Sequence, residues 1–268
     1  MNISLTSKKI SPAQHWNGAD YHRISSPQFN INKAFLNEYI FHGDETILDI
    51  GCGDGRTSRE IAKKIPHGEI LGIDASNSMI EIANKNNKYT HLRFQLMNVQ
   101  QIDFSNQFDV GICFFCMQWV PDKKDTFRRI YQSLKQQGRF LMIVPLPHPY
   151  LPMIRQQLIS SPRWKKYFGY YEDPLIYIND SNYEIYAQTA GFREFHSRID
   201  DTPVIFKNYD IFFDFLNQMT PHLSCLPLPN EKADFMHELL EQYLKINPIA
   251  SDGSCNLTFN LIKCCAIQ

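Results

Sequence analysis

Residues 47–58 read ILDIGCGDGRTS: an apolar strand carrying Asp49, then glycines at 51, 53 and 55, then the start of a helix. A glycine turn between strand and helix lets a ligand approach the backbone, because glycine has no Cβ and tolerates positive φ. A P-loop would require GxxxxGK[ST]; Arg56 follows Gly55, no lysine is in place, and the spacing fails. The dinucleotide fingerprint GxGxxG is matched at Gly51 and Gly53 but meets Arg56 at its third glycine, the position that normally lets helix and strand pack tightly.

The pattern is instead DxGxGxG, with Asp49 ahead of the glycines. An acid there suits a ligand whose near end is cationic. A pyrophosphate would be repelled and would seek a bare helix N-terminus. S-adenosylmethionine offers such an end in its α-ammonium and sulfonium, and its ribose hydroxyls require an acceptor. Asp74, at the end of the next strand, can supply one. Nicotinamide enzymes use the same device, so Asp49 together with Gly55 discriminates and Asp74 alone does not.

Outward from the turn, strand and helix patterns alternate. ETILDIG, GEILGID, LRFQLM, FDVGICFF and RFLMIV read as strands. RTSREIAKKI, SMIEIANK and KKDTFRRIYQSLKQQG read as helices, the last with Phe127, Ile130, Tyr131 and Leu134 on one face and Gly138 as its stop. Alternation of this kind implies right-handed crossovers and a mostly parallel sheet. NINKAFLNEYIF precedes the turn as a helix. Beyond residue 145 the chain becomes rich in proline and aromatics, followed by helix NYEIYAQTAGF, strand EFHSRIDDTPVIF, helices YDIFFDFLNQM and EKADFMHELLEQYLKIN, and a last strand CNLTFNLIKCCAI.

The 268 residues carry 27 Lys plus Arg against 28 Asp plus Glu, a net charge of −1. Such a balance offers no polycation for a phosphate backbone, so nucleic acid is a poor partner. The N-terminal MNISLTSKKISP lacks the apolar core of a signal peptide, and no apolar run approaches the ~20 residues of a membrane span. With seven cysteines, this points to reduced thiols and a cytoplasmic address. Cys113 and Cys116 form a lone CxxC within an apolar strand, a pattern of buried thiols; no metal site is expected.

Taken together, ILDIGCGDG, GIDAS and FDVGICFFCMQWVPD resemble the class I S-adenosylmethionine-dependent methyltransferases. QWVPD is similar to the trans-aconitate branch, and YHRISSPQF with SSPRWKKYF to the juvenile hormone acid methyltransferases. The resemblance implies an α/β, Rossmann-like, seven-stranded, mostly parallel sheet with an antiparallel last strand and helices on both faces. It implies one methyltransferase domain over 1–268, with an N-terminal lid segment at 1–40, a cofactor-binding core at 41–145, and substrate-side helices, including further lid, at 146–268. For the cofactor S-adenosyl-L-methionine and its product S-adenosyl-L-homocysteine it implies Asp49, Gly51, Cys52 and Gly53 along the methionine path. Asp74 would bind the ribose, Ala75 and Met79 would pack on the adenine, with Asn98 and Val99 beyond the third strand. Phe114 and Tyr21 would meet the methionine end, and Gln28 and Trp119 would hold a substrate carboxylate in the catalytic step. Asn98 stands where relatives usually carry Asp, and Gln118 where they often carry His.

Transfer from a sulfonium has an excellent leaving group already, so the protein has mainly to align the nucleophile and exclude water. A carboxylate, with an unperturbed pKa near ~4, needs no general base at neutral pH, whereas phenols, amines and carbons do. The sequence therefore favours O-methylation of a small-molecule carboxylate to a methyl ester, the aromatic C-terminal half suiting an apolar acid. A tricarboxylate would call on Arg155, Arg163, Arg193 and Arg198. Methylation of a phenol, a carbon or a carrier-bound acyl group stays open, a carrier protein docking near Arg163, Lys165 and Lys166. A nicotinamide-dependent oxidoreductase is a further alternative, disfavoured by Arg56, and a non-catalytic binding protein that keeps the cofactor turn is another, disfavoured by the intact Asp49, Asp74 and Trp119. His15, His22 and His148 are candidate bases.

Overall fold

The computed structural model describes residues 24–268. These form two compact units, one of residues 24–146, 176–202 and 259–268, the other of 147–175 and 203–258. Tyr21, His15 and His22 lie outside the described residues.

Seven strands make one sheet: β1 (Thr46–Ile50), β2 (Glu69–Asp74), β3 (Leu92–Leu96), β4 (Phe108–Phe114), β5 (Leu134–Pro145), β6 (Glu194–Phe206) and β7 (Cys255–Ile267). Their order is β3-β2-β1-β4-β5-β7-β6. Pairings β1–β2, β1–β4, β2–β3 and β4–β5 are parallel, and β5–β7 is antiparallel, as expected for the last strand. Ile47, Leu48 and Ile50 are fully buried and Asp49 nearly so, which is why β1 is a continuous apolar run broken only by its acid. The order in which strands are added reverses between β1 and β4, the crevice at which open α/β sheets bind ligands.

Eight helices accompany the strands among the described residues: α1 (Ser26–Asn37), α2 (Arg56–Ala62), α3 (Asn77–Lys85), α4 (Lys123–Ser133), α5 (Leu151–Ser160), α6 (Asp180–Ala190), α7 (Tyr209–Gln218) and α8 (Pro229–Ile246). Phe127 and Ile130 of α4 join Phe140, Met142, Tyr183 and Ala187 in the core of the sheet-bearing unit. α6 ends as its sequence requires, with Gly191 in the left-handed region at φ 114° and its N–H returned to the helix.

Two boundaries differ from the sequence pattern. α4 stops at Ser133 rather than at Gly138, and Leu134 already pairs with Phe108 of β4. The register then shifts between Phe108 and Val110, and Gln137 adopts φ 63°. A Cβ on Gly138 would meet the Lys135 carbonyl at 2.7 Å, so this glycine serves an irregular strand entry and not a helix stop. The proline-rich stretch after β5 contains α5, with Pro152 in its first turn, where proline is well tolerated because the missing N–H has no partner there anyway.

Candidate active site

The C-terminal ends of β1, β2 and β4 converge on the glycine turn. Gly51, Gly53 and Gly55 have φ of 69°, 54° and 72°, a backbone that residues with a Cβ rarely adopt. Gly51 and Cys52 both donate to the Ile73 carbonyl, at 2.8 and 3.0 Å, tying the turn to β2. A Cβ on Gly51 would fall 2.5 Å from the Cys116 side chain, and one on Gly55 would fall 2.4 Å from the Phe94 ring of β3. Gly55 thus gives the close helix–sheet contact that a dinucleotide fingerprint assigns one position later.

Asp49 is 3% exposed, and its Oδ2 accepts a 2.6 Å hydrogen bond from Ser58 Oγ on α2. Burial pushes its carboxyl up to about 6, the Ser58 bond opposing and the Asp74 charge adding to the rise. No cation faces it among the described residues. The turn has therefore enclosed an acid without its counter-charge, and a ligand ammonium would supply one.

Asp74 closes the other side. Its Oδ2 accepts from Gly53 N–H at 3.0 Å and its Oδ1 from Ser76 N–H at 2.8 Å. Burial raises its pKa while these backbone donors hold it down. The Ala75 N–H is a third backbone donor, which leaves one of the carboxylate's four acceptor positions for a ribose hydroxyl. Beyond it, Ala75 is exposed and Met79 buried at the start of α3. Asn98 is exposed and caps the turn Val99–Gln101, its Oδ1 accepting from Gln100 N–H at 2.9 Å; Val99 is buried beneath. Asn98 also forms a capping box with Gln101, whose side chain accepts from the Asn98 N–H.

Past β4, Phe114 is buried and meets Phe35 of α1 edge-on at 5.7 Å. Phe115 takes φ 54°, and Gln118 Nε2 braces that bend by donating to the Phe115 carbonyl at 2.9 Å. A side chain so committed leaves no base at position 118. Trp119 is 8% exposed in the short turn Met117–Trp119. Gln28 is buried on α1, not the surface glutamine its place before a helical pattern would suggest. α1 is in turn held to α2 by Asn32 Nδ2 donating to Thr57 Oγ1 at 3.1 Å, with Arg56 lying over the Phe29 ring.

Ser58 and Phe94 contribute to the turn without having been singled out by sequence, and Cys116, read there only as a buried thiol, packs against Gly51. Phe94 reaches the turn through the pairing of β2 with β3, and Ser58 through the first turn of α2. His148, held near pKa 4 by burial and then by the charge of Arg155, is neutral and a weak base. An open groove of ≈ 750 Å³, lined by Asn106, Arg129, Gln136 and Arg193 among others, lies where β4 and β5 begin, at the edge opposite the glycine turn.

The comparisons support an S-adenosylmethionine-dependent methyltransferase, and the chain resembles the class I enzymes of the trans-aconitate and juvenile hormone acid branch. Residues 47–138 match the family model described as a methyltransferase domain. Among relatives, the chain is 28% identical over 245 residues to the product designated methyltransferase 235L of Invertebrate iridescent virus 6, covering 91% of this chain and 89% of that one. It is 23% identical to juvenile hormone acid O-methyltransferase of Drosophila melanogaster, over 84% of this chain and 80% of that one. In fold it is similar to the YcgJ protein of Bacillus subtilis, with a TM-score of 0.63 at 16% identity, covering 89% of this chain and 98% of that one.

The residues present fit the cofactor of that class. Gly51, Gly53 and Gly55 hold a left-handed backbone, Asp49 is an enclosed acid that no cation among the described residues faces, and Asp74 lies against the turn at Gly53. No group of three or more His, Cys, Asp or Glu able to hold a metal occurs among the described residues. No helix among them is long and apolar enough to cross a membrane.

Proposed function

We propose that this protein methylates a carboxylate oxygen of a small organic acid, releasing a methyl ester and S-adenosylhomocysteine. The observation that carries the reading is the pair Gln28 and Trp119: a neutral amide and an indole, 3% and 8% exposed, at the family's acceptor positions. Neutral donors orient a carboxylate without clamping its charge, and a carboxylate needs no proton removed. Juvenile hormone acid O-methyltransferase, by its name, acts on an acid, which agrees with the reading.

When bound, S-adenosylmethionine supplies an electrophilic methyl on a sulfonium whose leaving group is a neutral thioether. Asp49 holds the ammonium end through the turn, and Gly51, Cys52 and Gly53 line its path. Asp74 accepts from a ribose hydroxyl, Ala75, Met79 and Val99 pack on the adenine, and Asn98 accepts from its amino group. Phe114 offers backbone at the methionine end. Gln28 and Trp119 fix the acceptor oxygens in line with the methyl, and enclosure by buried side chains keeps water from competing.

A carrier-borne acyl group is the second reading. Arg163, central to a basic docking patch, is committed to Asp234 and Glu238 and lies over the Trp164 ring, which leaves Lys165 and Lys166. The free acid is therefore preferred. All seven cysteines are free thiols, which supports action in a reducing cytoplasm.

The test is an acceptor panel with methyl-labelled cofactor: monocarboxylic acids beside the alcohols, phenols and amides of the same skeleton. Label appearing in a product that releases methanol in base, with acids alone as acceptors, is the expected result. Label on phenols or carbons, stable to base, would replace the carboxylate with another nucleophile.

A further inference from the structure

In the unit formed by residues 147–175 and 203–258, α5 buries Leu151, Ile154, Arg155 and Leu158, an i, i+3, i+4, i+7 face. Three of these are apolar; the fourth is an arginine only 9% exposed. A guanidinium removed from water costs several kcal/mol unless it is paired and hydrogen-bonded, so buried arginines normally face an acid. Among the described residues Arg155 has neither an ion pair nor a hydrogen bond. The other arginines considered for an acid ligand are all engaged: Arg163 with Asp234 and Glu238, Arg198 with Glu38 and Asp200, and Arg193 with the Gln268 carbonyl.

Two imidazoles, those of His148 and His222, lie within reach of the Arg155 charge. His148 Nδ1 accepts from the N–H groups of Tyr150 and Leu151 at the start of α5, at 3.2 and 3.3 Å, which leaves its proton on Nε2 as a donor. His222, 3% exposed, shares a 3.2 Å hydrogen bond between its Nδ1 and the Tyr171 hydroxyl, their rings 4.4 Å apart. Burial, with Arg155 next, holds His222 near pKa 3, so neither imidazole adds charge at neutral pH. Asp173 places Oδ2 4.0 Å from His222 Nε2, while its Oδ1 accepts from the Leu175 N–H. Aromatic side chains complete the surroundings, with Phe168 beside His222 and Tyr243 beside His148.

We propose that Arg155, flanked by His148 and His222, is a carboxylate-binding site for an organic acid with an apolar body. A single guanidinium neutralises one anionic group, and a planar fork matches a carboxylate in two parallel hydrogen bonds. Uncharged imidazoles add donors without competing for the anion, and the aromatic walls suit a hydrocarbon chain. The proposal goes beyond methyl transfer, since the site can be occupied whether or not its ligand is methylated.

The test is calorimetric titration of the full chain with carboxylates from butanoate to dodecanoate, with octanamide and inorganic phosphate as comparison arms. Binding of the acids, with octanamide at least about tenfold weaker, phosphate not competing, and Arg155→Met losing about tenfold or more, is expected. Arg155→Lys should recover part of the loss. In the wild-type protein the His148 and His222 ring resonances should shift on adding octanoate, a readout that does not depend on any variant folding. No acid binding to the wild type, equal binding of octanoate and octanamide, preferential binding of phosphate, or unchanged binding by a folded Arg155→Met would overturn the proposal. Octanoate held through Arg155 but never converted to an ester would leave this site standing and remove the methyl-ester reading; esters formed at unchanged KM by Arg155→Met would do the reverse.

Discussion

Ser58, in the first turn of α2, donates its hydroxyl to Asp49 Oδ2 at 2.6 Å, a side-chain hydrogen bond that holds the buried acid beneath the glycine turn. Residues nine apart in sequence are thereby locked across the strand–helix corner. The bond steadies the ionised carboxylate but does not replace a counter-charge, so Asp49 stays near pKa 6.

Cofactor affinity should therefore depend on pH. A cationic ligand end binds the ionised form, and Asp49 protonates below about 6. Affinity for S-adenosylmethionine should be flat from pH 7 to 8 and weaken by about tenfold per pH unit below about 6. Calorimetry across pH 5–8 checks this, and an unchanged affinity at pH 5 would remove Asp49 from the cationic end.

Stability without cofactor should run the other way. A folded-state pKa raised above the unfolded value contributes stability that is full below the unfolded pKa, near 3.8, and lost as pH rises through about 6. Asp49→Asn removes the charge while keeping a partner for Ser58. At pH 8 the variant should match or exceed the wild type in thermal unfolding, by up to roughly 3 kcal/mol, while binding cofactor poorly. Lower stability at pH 8 would show that the charge is already compensated.

Asp74→Ala should weaken S-adenosylmethionine by about 1.5–3 kcal/mol, the loss of hydrogen bonds to a charged acceptor. It also deprives the Gly53 and Ser76 N–H groups of their partner, so Asp74→Asn, which keeps one oxygen, should lie between. Unchanged affinity in titration would place the ribose contact elsewhere.

Gly55→Ala meets two separate obstacles: a left-handed backbone at φ 72° and the Phe94 ring 2.4 Å from the new Cβ. Their sum is about 2–4 kcal/mol of lost stability. Adding Phe94→Ala should not restore the wild type, because the backbone strain persists and a cavity is added. A melting temperature unchanged by Gly55→Ala would show that the turn relaxes freely.

Trp119→Ala should keep cofactor affinity within about threefold, under 1 kcal/mol, and lower turnover with the acid. Loss of cofactor binding in the same variant would make Trp119 a support of β4 and not an acceptor contact.

Much of this was legible in the sequence where local and global signals agree. Strands β6 and β7 match EFHSRIDDTPVIF and CNLTFNLIKCCAI residue for residue; β7 carries apolar residues in a run bounded by turn residues, whereas β6 is largely polar and exposed. Asp49, Gly51, Gly53 and Asp74 were readable because their spacing along the chain is the motif. Ser58 and Phe94 were not, since their roles arise only when β1, β2 and β3 align in register. Helix α4 read too long because Leu134 continues its apolar period yet begins β5. The prolines ahead of Arg155 masked a helix start, and with it the apolar face into which the arginine is set.

The measurement that bears most directly on the account is calorimetric titration of the purified protein with S-adenosylmethionine, S-adenosylhomocysteine and NADH at neutral pH. The account predicts micromolar binding of both adenosyl ligands, lost with Asp74→Ala, and none of NADH. Binding of NADH in place of the adenosyl ligands would contradict it, and the roles given to Asp49 and Gly55 would fall together.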